Sequence, residues 1–235
     1  MIKACLNGSR DRREHPGVPL SADELAAAGR AAADAGAAAV HIHPRDDSGA
    51  ETLAGWAVSA AVAAIGERCP GLPIGVSTGA WIEPSPPARL AAIRSWSVLP
   101  DFASVNVHES GAAEVALALA ELGVGVEAGV WWPAALPDYL RWPVPCLRIL
   151  VECVDTAAPA AVQNAYAVLA ALPADGPPVL LHGAGSASWP VLREALRLGL
   201  DTRIGLEDTL VLPDGSVAPD NAALVAAAVA LAHGG

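Results

Sequence analysis

The feature that most constrains this fold is an alternation: short apolar runs separated by longer, alanine-rich segments of helical period, eight times over. The runs expected as strands are Ile2–Leu6, Ala38–His43, Pro73–Ser77, Phe102–Asn106, Gly125–Glu127, Cys146–Val151, Val179–His182 and Thr202–Leu206. Helices are expected near 22–35, 54–68, 86–98, 111–122, 133–142, 157–172, 187–198 and 219–233. Parallel strands need a crossover, so strand–helix alternation implies a parallel sheet. Eight repeats fit a closed (β/α)8 TIM barrel better than an open sheet, although counting alone also allows seven or nine. Ser21 with Glu24 forms a capping box, and Gly36, Gly123 and Gly199 fall just past helix ends, where positive φ is wanted. With no linker or low-complexity tract, residues 1–235 read as a single α/β barrel domain.

Composition narrows the class of partner. A chain of 235 residues that is 53% hydrophobic can bury a large core. Its longest nearly uninterrupted apolar run, Ala222 to Ala232, is too short to cross a hydrocarbon layer of roughly 30 Å, so no membrane span is expected. The first residues turn polar quickly and lack a secretory pattern, which makes the cytoplasm the expected compartment. Cys5, Cys69, Cys146 and Cys153 show no Cys-x-x-Cys spacing and read as buried thiols. A net charge of −11 argues against nucleic acid or an anionic membrane as partner. Lys3 is the only lysine, and the cluster Arg10, Arg12, Arg13 stands out against the acidic background.

In such barrels the chemistry sits where strands end, because the βα loops build one mouth. His41 and His43 are two apart on a strand, so both rings face one side, about 7 Å apart at Cα. That spacing suits two ligands of one metal; the pair alone also reads as two hydrogen-bonded mouth histidines. Glu207 adds a carboxylate at the end of strand 8, completing a His2Glu set that leaves a coordination position open. Asp208 and Arg203 complete Arg-x-Gly-x-Glu-Asp, where ligand, base and cation converge, though Glu207 and Asp208 alone also read as loop carboxylates. Gly183-Ala184-Gly185-Ser186 after strand 7 reads as a phosphate-binding turn or simply a sharp one. Nothing in the sequence aims His108, Glu109 or His182 at the metal, and Trp131 and Trp132 either wall the pocket or pack under a loop.

These segments together resemble the β-keto acid cleavage enzymes, the family that includes 3-keto-5-aminohexanoate cleavage enzyme. The resemblance runs nearly end to end: Asn7-Gly8, Val18-Pro19-Leu20-Ser21, Val40-His41-Ile42-His43-Pro44-Arg45-Asp46, Val76-Ser77-Thr78-Gly79, Ser104-Val105-Asn106, Val126-Glu127 and Arg203-Ile204-Gly205-Leu206-Glu207-Asp208-Thr209-Leu210. It implies a zinc-dependent barrel that takes a β-keto acid and acetyl-CoA to acetoacetate and a new acyl-CoA. It further implies His41, His43 and Glu207 as zinc ligands and Asp208 as general base, with Ser77, Glu127 and Arg203 around it. Ser104, Asn106 and Thr78 correspond to the substrate pocket; Ser104 and Asn106 equally suit simple capping of strand 4. Homo-oligomers are implied as well.

Two departures modify the expectation. After strand 6 the family carries a glycine-rich loop, whereas here the chain reads Val151-Glu152-Cys153-Val154-Asp155-Thr156 and enters a helix. That weakens the case for CoA and keeps open a metal-dependent aldolase or lyase without a thioester. In the strand 1 loop, Arg10 stands near the position where a member acting on an amino-bearing substrate has an acidic residue, so an anionic or electronegative substrate tail is expected. A third reading is a barrel that binds a metal-chelating metabolite without turning it over, against which Asp208, Arg203 and Glu127 together speak.

Overall fold

The computed structural model describes residues 1–154 and 157–234. Eight strands are formed: β1 (Ile2–Cys5), β2 (Ala39–Ile42), β3 (Ile74–Ser77), β4 (Phe102–Asn106), β5 (Gly125–Val130), β6 (Arg148–Cys153), β7 (Val179–Gly183) and β8 (Thr202–Ile204). The helices between them are α1 (Ala22–Asp34), α2 (Gly55–Arg68), α3 (Pro86–Arg94), α4 (Ala112–Glu121), α5 (Leu136–Tyr139), α6 (Ala158–Ala171), α7 (Ser188–Arg197) and α8 (Asn221–His233). The strands lie parallel in the order β7-β6-β5-β4-β3-β2-β1-β8. The seam between β7 and β8 is closed by the parallel bridge Leu180↔Asp201, by Leu181 N donating to the Asp201 carbonyl at 2.9 Å, and by the Thr202 hydroxyl donating to the Leu181 carbonyl at 2.9 Å. This is the TIM barrel that the alternation predicts.

Successive strand residues point to opposite faces, and the chain uses this twice. Val40, Ile42, Val76, Val105 and Ile204 pack outward on Leu25, Val58, Ile65, Leu119 and Leu224 of the helical layer. Around β5 to β7 a second apolar cluster joins Val130, Val151 and Leu181 to Ala165, Val168 and Val191. The alternate positions, which the barrel encloses, carry its buried charged and polar groups beside Phe102, Leu150 and Leu180. Lys3 Nζ donates to Glu127 Oε2 at 2.6 Å, Glu127 Oε1 lies 3.1 Å from Arg148 Nε, and Arg148 reaches Asp201 at 3.4 Å. Lys3 and Glu127 are fully buried, and this ion chain links β1, β5 and β6 to the start of β8.

Local signals explain where elements start and where expectation fails. The Ser21 hydroxyl accepts from Glu24 N, and the Glu24 carboxylate accepts from Ser21 N, as the capping box requires. The helix expected over 133–142 shrinks to a 3-10 turn, Pro133–Ala135, plus the four-residue α5. Pro133, Pro137 and Pro143 remove backbone donors, and Pro143 disfavours helix at Trp142 before it. Strand 5 runs on to Val130, so Glu127 is mid-strand instead of at the mouth. Strand 8 stops at Ile204, two residues early, because the chain turns: Asp208 N and Thr209 N both donate to the Gly205 carbonyl, at 2.9 and 3.0 Å.

Candidate active site

The histidines at the end of β2 meet the turn after β8. His41 Nε2 and His43 Nε2 are 3.2 Å apart, and His43 Nε2 is 3.5 Å from Glu207 Oε2. Three donor atoms, one from each residue, lie within 4.8 Å of one another. The shorter separations match the edge of a tetrahedron, about 3.3 Å, around an ion with bonds of about 2.0–2.1 Å. Glu207 Oε2 is buried with no hydrogen-bond partner, while its Oε1 is held by Arg203 at 2.7 Å. Burial, then the neighbouring His43 and Lys3, push the His41 pKa well down, which keeps the ring in the neutral form a metal needs. The donor set fits a divalent ion.

Asp208 is held with one oxygen engaged. Arg203 donates to Oδ1 through Nε at 3.2 Å and NH2 at 2.7 Å, and Oδ2 is buried with no hydrogen-bond partner. Burial raises the carboxyl pKa; Arg203 opposes the rise and Glu207 adds to it, and the net shift is upward. A carboxylate made more basic while keeping an oxygen free suits proton abstraction. Its backbone is clamped too: Gly185 N and the Ser188 hydroxyl both donate to the Asp208 carbonyl, at 2.7 and 2.9 Å. Ala184 N donates to the Cys153 carbonyl and Ala187 N to the Ala184 carbonyl. Two amides of the Gly183–Ser186 turn, those of Ala184 and Gly185, are thus engaged inside the protein, and Gly185 fixes Asp208.

A cavity of about 390 Å³ opens over these groups. Ser77, Ser104, Asn106, Arg10, Arg203 and Asp208 line it. The Ser77 hydroxyl accepts from Gly79 N at 3.3 Å. Asn106 Nδ2 donates to Glu109 at 2.9 Å, and its oxygen accepts from the Trp131 indole at 3.1 Å. Arg10 is braced by Glu14 at 2.8 Å and by the Glu207 carbonyl at 3.4 Å; Arg12 and Arg13 pair elsewhere, with Glu24 and Asp11. Two expected residues are placed differently. The Thr78 hydroxyl donates to the Ser104 carbonyl at 2.7 Å, so it stitches β3 to β4 instead of facing the cavity. Glu127 is not beside Asp208, because Lys3 and Arg148 hold its carboxylate in the ion chain below.

The structure also brings in side chains that the sequence reading left out or left unaimed. His182 Nε2 lies 3.3 Å from Glu152 Oε2, and its Nδ1 lies 3.8 Å from Asp208 Oδ1. The β6–β7 register sets Glu152 opposite His182. Gly129 makes room for this wall: a Cβ there would stand 2.4 Å from both Asn106 Oδ1 and Glu152 Oε1. On the other side, Glu51 Oε1 is 2.5 Å from His43 Nδ1, and the Trp81 indole donates to the same oxygen at 3.3 Å. The available signals are a charged residue inside an apolar strand for Glu152 and a carboxylate eight positions past His43 for Glu51.

The sequence model of the beta-keto acid cleavage enzyme family matches residues 1–127 and 140–234. The chain belongs to this family. Among curated relatives, the 3-keto-5-aminohexanoate cleavage enzyme of Acetoanaerobium sticklandii is 33% identical over 107 residues, 45% of this chain and 38% of that protein. That of Fusobacterium nucleatum subsp. nucleatum is 36% identical over 80 residues, 34% of this chain and 29% of that protein. The matched segments thus cover well under half of either relative. Among solved structures, the ternary complex of ObcA with C4-CoA adduct and oxalate superposes with a TM-score of 0.70 at 19% identity, over 93% of this chain and 65% of that one; this likeness speaks to the fold. The stretch outside the family match, 128–139, carries the end of β5, the short 3-10 turn and α5. Both Trp131 and Trp132 lie in this stretch of the β-keto acid cleavage enzyme.

Proposed function

We propose that this β-keto acid cleavage enzyme is metal-dependent and condenses a β-keto acid with acetyl-CoA, passing the acid's acyl part to the CoA and giving acetoacetate and a new acyl-CoA. The observation that carries the reading is the unengaged Oδ2 of Asp208 beside the His41, His43 and Glu207 donor set. A divalent ion bound there, zinc by the donor chemistry, supplies Lewis-acid polarisation of the substrate's keto and carboxylate oxygens. Asp208 takes the proton from the carbon between those two groups onto Oδ2, while Arg203 fixes Oδ1 and stays cationic in the presence of Asp208 and Glu207. Ser77, Ser104 and Asn106 offer hydroxyl and amide groups along the cavity wall. The deprotonated carbon attacks the thioester carbonyl and expels the CoA thiolate, the thiolate attacks the original keto carbon, and carbon–carbon cleavage leaves the acetoacetate carbanion, which takes the proton back from Asp208 Oδ2. Atoms balance as RCOCH2COO⁻ plus CH3CO–SCoA giving RCO–SCoA plus CH3COCH2COO⁻. Arg10 at the rim favours an acid whose R group ends in an anionic or electronegative group. Glu127 supports the site from below, through Lys3. A cytoplasmic homo-oligomer accompanies this reading.

A second reading is a metal-dependent lyase that cleaves the keto acid without CoA. It is favoured by the Glu152 carboxylate lining the cavity and by the engagement of the Ala184 and Gly185 amides, which leave an anionic co-substrate less support on that wall. A panel of β-keto acids, incubated with and without acetyl-CoA and followed by mass spectrometry, separates the two. Acetoacetate and a matching acyl-CoA, formed only with acetyl-CoA, is the expected result. Cleavage without it points to the lyase, and tight binding with no cleavage, unaffected by Asp208→Asn, points to a non-catalytic binder.

A further inference from the structure

The three metal donors are not equally supported. His41 Nδ1 is buried without a hydrogen-bond partner, so the ring's only polar contact is the 3.2 Å approach of its Nε2 to His43 Nε2, inside the donor set itself. His43 is held on two sides. Its Nδ1 lies 2.5 Å from Glu51 Oε1, and the Trp81 ring stacks on it at 6.2 Å between centroids with 26° between planes. Trp81 in turn donates its indole N–H to the same Glu51 oxygen at 3.3 Å. The indole reaches this position because residue 79 is glycine: a Cβ there would stand 2.3 Å from the Trp81 ring. Glu51 itself is anchored in the backbone, where it pairs with Arg45 in an antiparallel bridge just after β2.

We infer that Glu51 and Trp81 form a clamp that fixes His43 for metal capture, Glu51 as the carboxylate that orients the ring and Trp81 as the brace that orients Glu51. The inference rests on the metal-site reading above. With Nδ1–H donating to Glu51, the lone pair of the neutral ring is on Nε2, the atom that faces His41 and Glu207. A carboxylate on the far nitrogen also makes the ring a stronger donor, and losing such a partner costs about 10–100-fold in metal affinity. Glu51 adds a negative charge close to the donor set beside that of Glu207, whose other oxygen is shared with Arg203. Together the two carboxylates supply negative charge that favours a dication at the donor set.

The test is metal binding on the full chain, not turnover. Metal-free protein is titrated with Zn2+ against a chromogenic chelator, and with Co2+ while its visible absorption is followed. Glu51→Ala is expected to weaken Zn2+ binding about 10–100-fold, with Glu51→Gln and Trp81→Phe weakened less. Far-UV circular dichroism and the melting temperature of the metal-free forms should match wild type. The Co2+ spectrum of Glu51→Ala should shift as the His43 ring loses its fixed orientation. Glu207→Ala serves as the control that loses stoichiometric binding. If wild type binds one ion, Glu207→Ala does not, and both Glu51→Ala and Trp81→Phe bind within twofold of wild type, the clamp is overturned and the metal site stands. If wild type binds no ion stoichiometrically, the metal-site reading falls and takes the clamp with it.

Discussion

Arg203 donates two hydrogen bonds to Oδ1 of Asp208, at 3.2 and 2.7 Å, while Oδ2 of the same carboxylate receives none. On the proposed mechanism, this asymmetry orients the base without blocking it. Asp208→Asn keeps an acceptor for Arg203 and removes the basic oxygen, so cleavage of the best keto acid should fall about 10²–10⁴-fold. Metal content, measured by plasma emission, should be unchanged; a variant retaining more than a tenth of the activity would rule Asp208 out as the base.

Zinc should stabilise the fold by mass action, since a ligand bound only to the native state raises stability by about 2.7 kcal/mol at a hundred times its Kd. The expected outcome is a melting temperature that rises on adding Zn2+ to chelator-treated protein and does not rise for His41→Ala. Equal shifts in both proteins would place the ion elsewhere.

Lys3→Met strips one partner from a fully buried Glu127. Breaking a buried ion pair costs about 3–5 kcal/mol, and the lower part of that range is expected because Arg148 stays 3.1 Å from the other oxygen. Chemical denaturation measures it. Lys3→Met combined with Glu127→Leu should recover much of the loss, because no unpaired charge then remains.

Glu24 gives a pH signature remote from the site. Its carboxyl is lowered from 4.5 to about 2, first by the backbone N–H groups of Ser21 and Leu20 and then by Arg12. A depressed folded-state pKa contributes stability above the unfolded value, and that contribution is lost as pH falls through the folded one. Wild type should therefore melt higher than Glu24→Gln at neutral pH, with the gap closing between about pH 4.5 and 2. A gap that stays constant across that window would contradict the assignment.

Arg10→Glu reverses the charge at the rim of the cavity and removes the ion pair with Glu14. The ratio of kcat/KM for keto acids with acidic tails to those with basic tails should drop at least about tenfold, the scale of a charge-assisted contact. An unchanged ranking would remove Arg10 from substrate selection.

The barrel was legible because strand and helix periods differ and both are written plainly in an alanine-rich chain. The segment over 133–142 misleads because its apolar spacing is helical while its prolines withdraw the donors a helix needs. His41, His43, Glu207, Asp208 and Arg203 could be grouped since each falls at a strand end or on a short motif. Glu127 illustrates what a resemblance leaves out: the residue type carries over, but its partner is decided by Lys3 on another strand. Glu152 with His182 and Glu51 with His43 are missed for a related reason. The first pair depends on β6–β7 register, and the second on a polar stretch folding back over β2. Neither distance is encoded in local spacing.

The β7–β8 seam gains a further meaning from what surrounds it. It is laddered by a single bridge, yet just above that bridge Gly185 and Ser188 of the β7 side grip the carbonyl of Asp208 on the β8 side. Glu207, next in the chain, ties the same turn to β2 through His43. The turn that carries the proposed ligand and base thus doubles as the clasp of the cylinder, joining the first and last thirds of the chain through His43 and Glu207. Amide exchange at Leu181 and Thr202 reads out how firmly that clasp is fastened.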